Sequence, residues 1–195
     1  SAGGAGDDTF TAKAATAATQ TINAGDSVTG GAGADTLSIT ASIAGGSTLG
    51  TGVTTSSVET LTVDAVTATV IDGTLMSGVT AITSTGSLGT LTVNTLDTIP
   101  SVSLTSSNVA TTLSYTAATV VGTADAQTVT LNGVGTTADV TLTTNGIETL
   151  NVVANGAASG SATTSVTLAS TDLETVVITG TAASTLVIDL AGASG

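Results

Sequence analysis

Val58-Glu59-Thr60-Leu61-Thr62-Val63 returns as Ile147-Glu148-Thr149-Leu150-Asn151-Val152 and again as Leu173-Glu174-Thr175-Val176-Val177-Ile178. The last residues of the first copy alternate between polar and apolar. A strand built on them therefore turns Leu61 and Val63 to one face and Thr60 and Thr62 to the other. All three glutamates of the chain sit in this phrase. Shorter runs of the same kind surround it, among them Leu91-Thr92-Val93, Val102-Ser103-Leu104, Val129-Thr130-Leu131, Val140-Thr141-Leu142, Val166-Thr167-Leu168 and Leu186-Val187-Ile188. With 46 threonines in 195 residues, the chain is rich in β-branched side chains that suit a pleated surface and disfavour helix. Short strands at regular spacing, parted by Gly, Asn and Ser, predict an all-β sandwich, barrel or solenoid.

The filling of the core separates these. Apart from Phe10, Tyr115 and Met76 the apolar residues are Val, Leu, Ile and Ala. A sandwich of this length normally recruits several aromatic rings, whereas a solenoid stacks thin rungs of aliphatics. The reading is a right-handed parallel β-solenoid, with a β-sandwich as the alternative. Asn132-Gly133, Asn145-Gly146 and Asn155-Gly156 speak for the alternative, because each is a hairpin signal. Solenoid corners also need residues that tolerate positive φ, and Asn and Gly serve there too. The single proline is Pro100, and no Pro-rich or charged linker divides the chain. Two sections are expected: calcium-binding coils over 1–40 and a Thr/Val-rich body over 41–195. Nothing in the composition parts them, so they are expected to be continuous.

Composition removes most chemistry. There is no Cys, His or Trp, and Lys13 is the one basic side chain against 14 acidic ones, for a net charge of −13. Imidazole, thiolate and guanidinium are the usual base, nucleophile and anion clamp, so no enzyme is expected. Nucleic acid needs clustered Lys and Arg and is not an expected partner. No apolar run approaches the length of a membrane span. The chain opens directly on a glycine-rich repeat, with no basic and apolar leader, and is expected to be a segment of a larger secreted parent.

That opening repeat carries the one strong motif. Gly3-Gly4-Ala5-Gly6-Asp7-Asp8-Thr9-Phe10-Thr11 fits GGxGxDxUx, where U is a large apolar residue. Gly30-Gly31-Ala32-Gly33-Ala34-Asp35-Thr36-Leu37-Ser38 fits it again. Between them Thr21-Ile22-Asn23-Ala24-Gly25-Asp26-Ser27-Val28-Thr29 keeps the Asp and the apolar position. The three starts keep a nine-residue phase, which a flexible linker has no reason to do. Glycines let the backbone turn its carbonyls inward, Asp adds a hard carboxylate, and such an oxygen set suits Ca²⁺. The candidate ligand residues are Gly3, Ala5, Asp7, Asp8, Asn23, Asp26, Gly30, Ala32 and Asp35. If a coil holds two nonapeptides, positions two nonapeptides apart superpose, so Asp8 is expected above Asp26. Asp35 then falls on the other side, between Ala17 and Ala44, in an incomplete site. Glu59, Glu148 and Glu174 are expected at solvated strand edges. The remaining aspartates, 64, 72, 97, 125, 139, 172 and 189, are expected in turns and caps, and Lys13 on the surface.

Through GGAGDDTFT and GGAGADTLS the first forty residues resemble the repeats-in-toxin (RTX) family, with its calcium β-roll. Through VETLTV, IETLNV and LETVVI and its Thr, Ala, Val and Gly bias, the rest is similar to surface-layer proteins of Gram-negative bacteria of the Caulobacter type. The resemblance implies type I export and a right-handed β-helical body carrying Ca²⁺. It also implies calcium-dependent self-assembly into a lattice outside the outer membrane. Lipopolysaccharide contact and the secretion signal of such proteins have no counterpart in this segment.

Other functions compete with a lattice protein. An RTX adhesin repeat is the nearest, although carbohydrate-binding adhesins usually show aromatic platforms. Ice binding would use the rows Thr60-Leu61-Thr62, Thr90-Leu91-Thr92, Thr128-Val129-Thr130 and Thr141-Leu142-Thr143, but their uneven spacing and large central aliphatics make poor lattice matches. A β-helical lyase would need a base beyond Lys13. A glycosidase would need a pair of acids, and none stands out beyond the calcium loops.

Overall fold

The computed structural model describes residues 1–16, 18–49, 53–155, 165–180 and 186–189. It is an all-β parallel solenoid. One sheet stacks eight strands in sequence order: Thr9–Ala14, Thr36–Ala41, Thr60–Ala65, Ala81–Thr85, Ser101–Thr105, Ala126–Asn132, Thr149–Ala154 and Thr175–Gly180. A second sheet stacks seven: Ser47–Leu49, Thr69–Asp72, Leu91–Leu96, Thr111–Tyr115, Val140–Thr144, Val166–Ala169 and Leu186–Asp189. Ser27–Thr29 and Thr54–Ser56 form a short third sheet beside the first coils. From Thr36 onward the chain alternates between the two long sheets, so each strand meets its partner only one full coil later. Every ladder among the described residues is parallel, which rules out the sandwich.

Alternation decides which residues fill the interior. Leu37, Leu61, Ile82, Val102, Val129 and Val152 superpose in one inward column of the first sheet, and all are buried. Opposite them Leu91, Leu142 and Leu168 share a column with the buried hydroxyls of Thr69 and Thr111. Each buried leucine or valine contributes roughly 1.5–3 kcal/mol of apolar burial. Two thin walls of aliphatics close on each other, and so the core needs almost no aromatic volume.

The coil is longer than expected. Thr9 pairs with Thr36, Thr36 with Thr60, and Thr60 with Ala81. The first coil is therefore three nonapeptides and not two, and the next two coils are successively shorter. Three nonapeptides per coil preserve the nine-residue phase just as well as two. The Asn-Gly pairs are corners and not hairpins: Gly133 has φ 62° and Gly146 φ 87°, and each leads on towards a parallel partner. Gly156 lies outside the described residues. In the Thr-x-Thr rows the central Leu61, Leu91, Val129 and Leu142 point inward and the threonines outward. The rows divide between the two sheets, so they do not form one face.

Candidate metal centre

Three stacked corners make the site. The loop Gly3–Asp8 leads into the first strand of the long sheet, the loop Gly30–Asp35 into the second, and the tighter corner Ser57–Glu59 into the third. Strand pairing lays these corners directly on one another, with Ala5 bridged to Ala32. Gly31 has φ +117°, and a Cβ there would collide with the Gly4 carbonyl oxygen; a Cβ at Gly33 would meet the Gly6 carbonyl. The glycines are required both for their backbone angles and for this close approach.

The acids line up at a single position. Asp8, Asp35 and Glu59 each directly precede a threonine that opens a strand, and Thr9, Thr36 and Thr60 are register partners. Their carboxylates form a relay along the stack. Asp8 Oδ2 accepts the Gly4 amide at 2.8 Å, Asp35 Oδ1 accepts the Asp8 amide at 2.8 Å, and Glu59 Oε2 accepts the Asp35 amide at 2.8 Å. Asp7 joins from the side, its Oδ1 accepting the Ala34 amide at 2.8 Å. Asp35 is wholly buried, and its Oδ2 has no hydrogen-bond partner.

Two expectations are overturned here. Asp26 does not stack on Asp8. It sits in a separate turn, where its Oδ2 accepts the Asn23 amide at 2.7 Å and its own amide donates to the Asn23 carbonyl at 3.0 Å. Coil length is the reason, since a coil of three nonapeptides brings Asp35, not Asp26, over Asp8. Nor does Asp35 face alanines. Its neighbours in the stack are Asp8 and Glu59, while Ala17 lies outside the described residues. Gly3, Ala5, Asp7 and Asp8 thus meet Gly30, Ala32 and Asp35, while Asn23 and Asp26 stand apart.

Two of the three glutamates, Glu59 and Glu148, depart from expectation, while Glu174 keeps to it. Glu174 is exposed, Glu59 is half-buried, and Glu148 is only 7 % exposed. Glu148 Oε2 accepts the Asp125 amide at 2.8 Å, repeating the relay in the body without any glycine loop. Glu59, Ser57 and Glu148 are not among the ligands that the nonapeptide motif picks out. The signal that marks the glutamates is the acid-Thr pair at the start of a strand: Asp8-Thr9, Asp35-Thr36 and Glu59-Thr60 share one register position, and Glu148-Thr149 and Glu174-Thr175 share another, two residues earlier along the sheet. Among the turn aspartates, Asp72 caps the short 3₁₀ turn Gly73–Leu75, and hydrogen bonds from Thr74, followed by Thr95, lower its pKa. Asp139 Oδ1 accepts the Ser165 amide at 2.8 Å. The side chain of Asp189 lies outside the described residues.

The donors suit a hard cation. A Cβ at Gly3 would collide with both the Gly30 carbonyl oxygen and Asp8 Oδ2, so two oxygens of successive coils face the space that glycine leaves. Among the described residues no three Asp or Glu side chains converge on one point. A cation between these loops would take its ligands chiefly from backbone carbonyls, with Asp8 and Asp35 supplying the charge. Comparison with family models, with curated proteins and with solved structures found no match.

Proposed function

We propose that the chain is a non-catalytic structural segment of a secreted surface-layer protein, stabilised by calcium and assembling with copies of itself into an extracellular lattice. One observation supports this above the rest. The first coil, three nonapeptides long, lays one glycine loop on the other and brings Asp8 and Asp35 into one oxygen-lined column. Lys13, the only basic side chain, stands five positions along from Asp8 on the first strand, roughly 16 Å away at the usual rise. The positive charge that such a column calls for must then come from solution, and oxygen donors in a flexible cage select Ca²⁺. A solenoid also offers long flat sides and ends for repeated contacts.

Assembly follows the same electrostatics. Bodies of charge −13 repel one another at low ionic strength. Monovalent salt only screens that repulsion, whereas a divalent ion shared by carboxylates of two copies also links them. The test is electron microscopy and light scattering of the parent protein during titration with CaCl₂, against NaCl at equal ionic strength. Ordered arrays in calcium alone support the lattice. Monomers persisting through millimolar calcium favour an adhesin repeat region instead. Lipopolysaccharide anchoring, in this reading, belongs to other parts of the parent.

A further inference from the structure

We infer that a second divalent cation binds where the glycine loop Gly30–Asp35 meets the corner Ser57–Glu59, held by Asp35 Oδ2, the Ser57 carbonyl and Glu59. This rests on the calcium reading above but concerns a junction that no nonapeptide forms. Thr29 pairs with Ser56, so Ser57 takes the place in the third coil that Gly3 and Gly30 take in the first two. Between Ser57 and the strand at Thr60 stand only Val58 and Glu59, a corner half the length of the glycine loops. The shortened corner gives Glu59 the column position of Asp8 and Asp35.

Two features of this junction call for a cation. Asp35 is 0 % exposed, and of its two carboxylate oxygens one takes the Asp8 amide while Oδ2 has no partner at all. A buried carboxylate oxygen without a donor is strongly unfavourable unless a positive charge meets it. Its neighbours in the column are two more acids. The second feature is convergence: a Cβ at Gly30 would collide with both the Ser57 carbonyl oxygen and Asp35 Oδ2, so these oxygens from successive coils line the same space. Glu59 brings its carboxylate onto the backbone amide of the same Asp35 at 2.8 Å. Every donor is oxygen, which selects a hard divalent ion, calcium in an extracellular setting. The consequence is mechanical. A cation here ties the glycine coils to the body through Glu59, so that occupancy of the repeats is felt by the coils beyond Ala41.

The experiment is calorimetric titration of the metal-free chain with CaCl₂, for the natural sequence and for Asp8→Asn, Asp35→Asn and Glu59→Gln, with circular dichroism confirming each fold. Glu59→Gln keeps an acceptor for the Asp35 amide and removes the charge. We expect it to weaken one class of site at least tenfold and leave another unchanged, whereas Asp8→Asn does the reverse and Asp35→Asn damages both. Should Glu59→Gln not fold, Glu59→Asp, which draws the carboxylate back by one methylene, is read in the same way. A Glu59 variant that titrates like the natural chain, while Asp8→Asn loses a site, overturns this inference and leaves the calcium reading standing. Titrations unchanged in Asp8→Asn and Asp35→Asn, or no uptake by the natural chain, overturn both.

Discussion

Gln127 donates its side-chain amide to the hydroxyl of Tyr115 at 2.7 Å, joining a strand of the first sheet to the end of a strand of the second. The same amide donates to the Pro100 carbonyl at 2.9 Å, and Gln127 itself is buried. Burial pushes the Tyr115 phenol well above its ordinary 10.0, and the Gln127 hydrogen bond opposes that shift.

The sign of the pH dependence follows. Folding favours the neutral phenol, so its contribution to stability is complete below the unfolded value near 10.0 and is lost as pH rises above it. Tyr115 is the only tyrosine, so phenolate absorbance should appear together with loss of the β-signal in circular dichroism, not before it. Tyr115→Phe should be about 1 kcal/mol less stable at neutral pH, having lost the acceptor, yet should hold its fold to higher pH. Phenolate absorbance rising while the fold persists would contradict this.

Leu142 is 0 % exposed in the inward column of the second sheet. Leu142→Ala should cost roughly 2–5 kcal/mol, whereas Thr141→Ala on the outward face should stay within about 0.5 kcal/mol. Each coil touches mainly its neighbours, and stability in such stacks sums over neighbouring interfaces. Urea unfolding of Leu142→Ala should therefore broaden or split into two steps, while that of Thr141→Ala stays single.

Ser57 has φ 52°, in the left-handed region. Ser57→Gly should raise thermal stability by up to about 1 kcal/mol, and Ser57→Val should lower it by roughly 1–3 kcal/mol. Differential scanning calorimetry reads both. Gly31→Ala should be worse than either, because its Cβ meets the Gly4 carbonyl as well as an unfavourable φ.

Chelation should remove β-signal from the coils near 1–40 and leave most of the body's, because stacked Asp8 and Asp35 without a cation bring like charges together. Asp35→Asn should blunt the calcium response more than Asp26→Ala, since Asp26 is satisfied within its own turn by the Asn23 amide. A β-signal and melting temperature indifferent to chelator would contradict the dependence. An Asp26→Ala effect equal to that of Asp35→Asn would contradict the placement.

Much of the fold is legible in the sequence because its information is local. Alternation in Thr60-Leu61-Thr62-Val63 alone says that Leu61 and Val63 go inward, and a chain almost without aromatic rings must close its core with thin aliphatic walls. Those two facts favour the parallel solenoid over the sandwich, and the parallel ladders decide it. The candidate site is half legible. The motif finds the glycine loops, and Asp8 and Asp35 with them. It passes over Glu59, because a glutamate in a strand phrase carries no local sign of burial and is expected at a solvated edge.

Which acids meet was decided by tertiary structure alone. Coil length is the sum of strands and corners, and the nine-residue phase is equally compatible with coils of two or three nonapeptides. Pairing of Thr9 with Thr36, and then of Thr36 with Thr60 across a coil shortened at the corner Ser57–Glu59, set the column Asp8, Asp35, Glu59 and left Asp26 aside. Side-chain direction is a property of neighbouring residues and is written in the sequence. Register between coils is a property of the closed loop, fixed only when backbone hydrogen bonds and the aliphatic columns of successive coils are satisfied together.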